Sequence, residues 1–166
     1  MIKERIYYAI LFMSLFSCGF YSFTGASISN DIKTVYIDYF ENTSSTVNPT
    51  LSSVFTETLK DYFISNTRLN LTDNDGDLSF TGEITNYSIK PISIQSNETA
   101  SQNRLKIIVK VKFNNKTNKS YDFHTSFSRY KDFSSNEDLS VIEDNLISEI
   151  CEELAEDIFN KSIVNW

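Results

Sequence analysis

Histidine, cysteine and glycine are scarce in this sequence. Among 166 residues there are one histidine, two cysteines and four glycines. One histidine and two cysteines cannot supply the spaced Cys/His cluster that a structural zinc site requires. None of the four glycines belongs to a glycine-rich phosphate-binding loop. The formal charge is −7 and the pI is near 4.7, which argues against a nucleic-acid partner because phosphate backbones require a basic footprint.

The first seventeen residues have the pattern of a signal peptide. Lys3 and Arg5 precede an apolar run over 6–16, whose eleven residues of helix would rise only about 16 Å and cannot span a bilayer. The run ends in Leu-Phe-Ser before Cys18, which resembles the lipobox of bacterial lipoproteins. That resemblance implies cleavage at Cys18, with diacylglyceryl and N-acyl groups on this residue and no other cofactor. Cleavage elsewhere and an uncleaved anchor are the alternatives.

Cleavage at Cys18 would leave 149 residues with a net charge of −8, because Lys3, Glu4 and Arg5 together carry +1. That length suits one domain. Residues 18–31 are predicted to be the lipidated cysteine and a tether, in which three aromatic residues could lie at the lipid interface, pack on a partner or close the domain edge: Phe20, Tyr21 and Phe23.

The remaining residues, 32–166, alternate between two hydrophobic periods. A period of two predicts strands over 32–40, 78–87, 103–113 and 120–130, and a period of three to four predicts helices after Asn48-Pro49 and over 137–161. Gly82 interrupts its strand and predicts a bulge or the close approach of a helix. The fold class is α+β: a two-layer sandwich of one four-stranded, mostly antiparallel sheet with both helices on one face, in the order β-α-β-β-β-α.

Basic residues cluster on one side of the 103–113 strand. Arg104, Lys106, Lys110 and Lys112 share the outward face, and Lys90 precedes the loop before it. Such a row could bind the phosphates of lipopolysaccharide, with Arg104 binding bidentately. It could instead form cross-strand ion pairs with acidic neighbours or guard an edge strand.

Three motifs that could suggest catalysis or metal binding have simpler explanations. His124 lies outward on a strand, and no serine has the surroundings of a nucleophile elbow. Cys151 falls on the apolar stripe of the last helix, as a small core residue does. The sequence DNDGD over 73–77 predicts a turn, because an EF-hand loop starting at Asp73 would place Ile84 where glutamate is needed.

The chain also resembles a known family in segments along its whole mature length. The segments DIKTVYIDYF, VNPTLSSVFTETLKDYF, DGDLSFTGEIT, NRLKIIVKVKF and SFSRYKDF are similar to the LptE lipopolysaccharide-assembly lipoproteins. This resemblance implies a non-enzymatic lipoprotein on the periplasmic side of the outer membrane. Its partners would be lipopolysaccharide and the LptD β-barrel translocon, whose assembly it would assist. A generic lipid-anchored adaptor or ligand-binding module is the alternative, since a fold does not determine a function.

Overall fold

Strand residues alternate between buried and accessible positions, and two apolar-striped helices cover the buried side. The computed structural model describes residues 28–46, 48–92 and 102–164. The strands are β1 (Thr34–Ile37), β2 (Glu41–Asn42), β3 (Asn70–Thr72), β4 (Leu78–Ile92), β5 (Gln102–Asn115) and β6 (Phe123–Ser134). The helices are α1 (Leu51–Asn66) and α2 (Leu139–Phe159), with a 3₁₀ turn at Lys119–Tyr121 and a π turn at Asn160–Val164.

The strands form one mixed sheet in the order β3-β1-β4-β5-β6, and β2 pairs with β4 beside this path. β4, β5 and β6 are antiparallel neighbours, whereas β1 runs parallel to β3 and to β4. The α+β class and the layer of two helices on one sheet are therefore confirmed. The sheet has two more strands than the four expected, because β2 and β3 have only two and three residues and show no periodicity.

The start of α1 shows how local sequence positions a helix. The Asn48 side-chain oxygen accepts hydrogen bonds from the backbone N–H groups of Thr50 and Leu51, at 3.0 and 3.1 Å. These donors have no partner inside the helix, so the asparagine satisfies them. The Asn48 side chain therefore stabilises the start of α1 from two residues before the N-cap, which is Thr50, and the first helical residue is Leu51. The cap and the first helical residue thus lie two positions beyond Asn48 and Pro49, where the sequence suggests them.

A bulge in β4 lies between Ile84 and Asn86, two residues beyond Gly82. It changes the alternation, so that Tyr87 rather than Asn86 turns into the core. At Gly82 itself, a Cβ atom would clash with the Lys110 carbonyl oxygen and would lie 2.7 Å from Cε1 of Phe40. The close approach expected at Gly82 is present, but a neighbouring strand and an aromatic ring make it, not a helix.

Aromatic rings and branched aliphatic side chains fill the space between helices and sheet. The Phe63 and Phe80 ring centres lie 4.8 Å apart, as do those of Phe80 and Phe113, which links α1 to β4 and β5. Phe40 meets Phe55 edge-on at 5.2 Å. Burying one such side chain contributes about 1.5–3 kcal/mol, so this core stabilises the domain without a disulfide.

Candidate functional site: the open face of the sheet

One face of the sheet carries no helical layer, and the basic residues of β5 lie on it. Leu105, Ile107, Val109 and Val111 are fully buried beneath the helices, while the residues between them point outward. Arg104, Lys106 and Lys110 are half-buried on this open face, and Lys112 is exposed. The structure therefore brings the four basic residues of β5 together on one side, as the alternation predicts.

Strand register places small polar residues and one more lysine around this row. Lys106 lies between Ser88 of β4 and Tyr130 of β6, and Lys112 lies between Thr81 and His124. Lys90 lies directly across from Arg104, which extends the basic row onto β4. The open face is thus a polar surface with cations along its central line.

Arg104 already has a carboxylate partner. Its Nε and Nη2 donate to the two oxygens of Asp132 at 2.7 and 2.8 Å, and its guanidinium carbon lies 3.7 Å from the Tyr130 ring centre. The hydrogen bonds from Arg104 lower the pKa of the Asp132 carboxyl. This pairing uses the Nε/Nη2 edge of the guanidinium and places a carboxylate against its charge, so Arg104 attracts a phosphate less strongly than an unpaired cation does.

The four lysines of the face differ from Arg104 in this respect. Lys90, Lys106, Lys110 and Lys112 make no ion pair with any residue in the described ranges. Glu83 lies opposite Lys110, but its carboxylate accepts a hydrogen bond from the Thr43 hydroxyl at 3.0 Å.

Cross-strand pairing with an acidic neighbour explains Arg104 but not the lysines of the row. Asp38 accepts a hydrogen bond from Tyr36, and Asp122 accepts one from the backbone of Asn115 and lies 3.7 Å from Lys119. β5 is also an interior strand, so its lysines do not guard an edge. The lysines are left available for an anionic ligand.

The other candidates from the sequence have structural roles in this fold. Cys151 is fully buried, and burial raises the pKa of its thiol to about 12. Asp77 uses its carboxylate to accept the backbone N–H groups of Lys33 and Thr34, at 2.8 and 2.9 Å, and Asp75 pairs with Lys116 at 2.7 Å. His124 is exposed beside Lys112. Within the described ranges no three metal-ligating side chains converge.

An ion-pair network between β6 and α2 was not expected from the sequence. Lys131 Nζ lies 2.9 Å from a Glu149 oxygen and 2.8 Å from a Glu153 oxygen, and Arg129 donates to both oxygens of Asp157 at 2.6 Å. The acidic side of α2 is therefore only partly solvated. The sequence contains one sign of this network, because the alternation of β6 turns residues 129 and 131 towards the helices.

A second unexpected contact joins three elements. The Tyr87 hydroxyl of β4 donates to Glu143 of α2, and the Asn48 side-chain amide, before α1, donates to the same carboxylate oxygen at 3.2 Å. Burial, followed by the hydrogen bond to Glu143, raises the pKa of Tyr87. These residues are 56 and 95 positions from Glu143, so no local pattern could reveal them.

The expected acylation site and the aromatic residues of the tether, Cys18 and 20–23, lie outside the described residues. No helix in the described part of the chain is long and apolar enough to cross a membrane.

Comparison with solved structures supports the fold. A minor lipoprotein from Acinetobacter baumannii aligns with a TM-score of 0.54 at 13% identity, covering 81% of this chain and 92% of that one. A hypothetical protein from Chlamydia trachomatis aligns with a TM-score of 0.50 at 12% identity, covering 80% of this chain and 98% of the other. At these identities the likeness shows a shared fold.

Sequence comparison gives the family. None of the curated protein sequences matches the chain. The model of one family, LptE (lipopolysaccharide-assembly), matches residues 32–162, which includes both helices and all six strands. Members of this family are non-catalytic lipoproteins. The chain belongs to the LptE lipopolysaccharide-assembly family.

Proposed function

We propose that this protein is a lipid-anchored outer-membrane lipoprotein that works on the periplasmic side. Residues 1–17 are its signal peptide, Cys18 carries the acyl groups, residues 18–31 are the tether and residues 32–166 are the working domain. Two or more acyl chains hold a protein stably on a membrane, whereas one holds it only marginally. The domain assists an LptD-type barrel in assembling and in passing lipopolysaccharide to the outer leaflet.

The observation that supports a direct role with lipopolysaccharide is the group of unpaired lysines on the open face. Lys106, Lys110 and Lys112 project from one strand, at spacings of four and two residues, onto a face without helices. Lipopolysaccharide carries phosphates and acidic sugars, and an ammonium group binds phosphate as a point charge. Lys90 and Arg104 lie at the end of the same row, where Asp132 already pairs with Arg104.

A binding experiment with charge-matched variants tests this role. Lys106→Gln/Lys110→Gln/Lys112→Gln should weaken lipopolysaccharide binding by roughly fivefold for each lysine at low ionic strength, the factor that one cation contributes at an anionic lipid surface. The loss should shrink as salt is added, because salt screens exposed charges.

The control removes the same charge elsewhere. Lys60, Lys116 and Lys119 are partly or fully exposed cations that pair with nearby carboxylates off the open face. Their replacement by Gln should leave lipopolysaccharide binding within about twofold of the original protein, because these lysines lie off the open face. The fold should also survive the change, since surface ion pairs contribute little to stability. Equal losses in both triple variants would mean that net charge, not the open face, determines binding.

A further inference from the structure

A cleft beside β1 and β3 contains two further cations without an ion pair to any described residue. It is bounded by residues 28–33, which lead into β1, and by residues 65–70, which join α1 to β3, and it encloses about 810 Å³. Lys33 and Arg68 are the charged residues that line it, and neither makes an ion pair with any residue in the described ranges. Side chains of Asn30 and Ser65 add uncharged hydrogen-bond donors.

The lack of a carboxylate partner among the described residues distinguishes these two cations from most of the others away from the open face. Most arginine and lysine side chains away from the open face pair with a carboxylate, as Lys60, Lys116, Arg129 and Lys131 do. In a protein with a net charge of −7, a cleft whose charged lining residues are both basic is suited to an anion. Lysine and arginine both bind phosphate, the second through a planar fork of donors.

Exposed apolar residues lie next to the lining of the cleft in sequence. Ile64 and Leu71 flank its lining segment in sequence and are 47% and 37% exposed. Ile32 and Leu69, inside the lining, are buried and hold the two segments against the core. Exposed apolar residues beside basic ones are typical of surfaces that lie at the boundary between headgroups and acyl chains.

The position of the cleft points to one source of phosphate. Ile28 lines the cleft and packs against the core, and it is ten residues from Cys18. Ten extended residues span at most about 36 Å, so a lipid anchor at Cys18 keeps the cleft within that distance of the bilayer. A second groove, of about 550 Å³, shares Ser65 and Asn66 with the cleft, and its lining includes four glutamates of α2, Asp61 of α1 and Lys131. An anionic surface would attract the cations of the cleft and repel the carboxylates of this groove.

We propose that the cleft binds the phosphate of an anionic phospholipid headgroup in the membrane that holds the anchor, with Lys33 and Arg68 as its ligands. The proposal rests on the proposed acylation of Cys18. The cleft and the open sheet face share no cation, so the membrane contact and the lipopolysaccharide contact use separate groups.

Hydrogen exchange on the lipidated full-length protein tests this. The protein is reconstituted into vesicles of phosphatidylcholine alone or mixed with phosphatidylglycerol. Amide exchange at residues 65–70 should be slower by about fivefold or more in the mixed vesicles. Fivefold is the factor by which one cation strengthens binding to an anionic lipid surface. Lys33→Gln/Arg68→Gln should abolish the difference, and Lys110→Gln/Lys112→Gln, with the same charge change on the open face, should preserve it.

Each other outcome contradicts a distinct statement. Equal exchange of the original protein in both vesicles, or protection that persists in Lys33→Gln/Arg68→Gln, overturns the headgroup site. Equal protection by inorganic phosphate added to phosphatidylcholine vesicles overturns the assignment to a membrane lipid. If the protein does not float with either vesicle, the anchor is wrong. The cleft is then tested with soluble dihexanoyl-phosphatidylglycerol, which should protect residues 65–70 in the original protein and not in Lys33→Gln/Arg68→Gln.

Discussion

Asp77 shows how one carboxylate can fix the entry of two strands. Its Oδ2 accepts from the N–H groups of Lys33 and Thr34 and from the Thr34 hydroxyl, at 2.8, 2.9 and 2.9 Å, and its own N–H donates to that hydroxyl. These bonds, first that from Lys33, lower the pKa of Asp77. Asp77→Asn should therefore lower the free energy of unfolding near pH 7 by about 2 kcal/mol, the usual value for hydrogen bonds to a charged group.

The effect should depend on pH in a defined direction. Because folding lowers the pKa of Asp77, its contribution is fully present above the unfolded value near 4 and is lost as the pH falls through the folded value. Urea unfolding of both proteins from pH 7 to pH 3 should show the difference shrinking at the acidic end. Asp75→Asn is the control. The Asp75 side chain, which pairs with Lys116, is 80% exposed, so this substitution should change the free energy of unfolding by less than about 1 kcal/mol.

At the scale of single residues, the sequence predicts the strand face on which a side chain lies better than it predicts the residue with which that side chain pairs. The outward position of Lys106, Lys110 and Lys112 follows from alternation within one strand, which is local information. The pairing of Arg104 with Asp132 depends on the β5–β6 register, 28 residues away, and the role of Asp77 depends on a contact 44 residues away. Such contacts form only when the topology is complete.

At the scale of elements, β4 owes its path to Gly82. The Phe40 ring and the Lys110 carbonyl oxygen occupy the space that a Cβ would need. Gly82→Ala should therefore destabilise the domain by about 1–3 kcal/mol, the usual cost of overpacking, as measured by thermal or urea unfolding. Thr81→Ala, on the adjacent outward position, should stay within about 1 kcal/mol of the original protein. Similar midpoints for the two variants would mean that the Phe40 ring and the β5 backbone at Lys110 both adjust without cost.

Periodicity in the sequence predicts which segments are helices or strands and which side of each is apolar. It does not predict the order of the strands in the sheet. The long strands β4, β5 and β6 and both helices were predicted because each has a repeating apolar pattern. The parallel pairing of β1 with β3 and β4, and the two short strands, depend on packing between segments far apart in sequence. The contact of Lys131 with the acidic side of α2 appears only once β6 is placed beneath that helix.

The whole molecule separates its charges between its two layers. Carboxylates of α2 dominate the helical side, where Glu152 and Glu156 are exposed, while the open sheet face carries the unpaired lysines. Such a charge distribution orients a protein before contact and raises its association rate with anions more than its final affinity. The anionic ligand should therefore approach the open face of the sheet.

Affinity purification from membranes in mild detergent tests the partnership of the whole molecule. The tagged, lipidated protein should recover a large LptD-type outer-membrane barrel in stoichiometric amount, because a domain held by surface complementarity stays bound after the lipids are removed. Cys18→Ser should shift the protein away from the outer-membrane fraction, since the anchor is lost while the folded domain remains. The folded, anchored protein recovered alone would favour the generic adaptor, and normal outer-membrane fractionation of Cys18→Ser would contradict the acylation of Cys18. The two readouts are independent, since the barrel reports on the domain surface and the fractionation reports on the N-terminus.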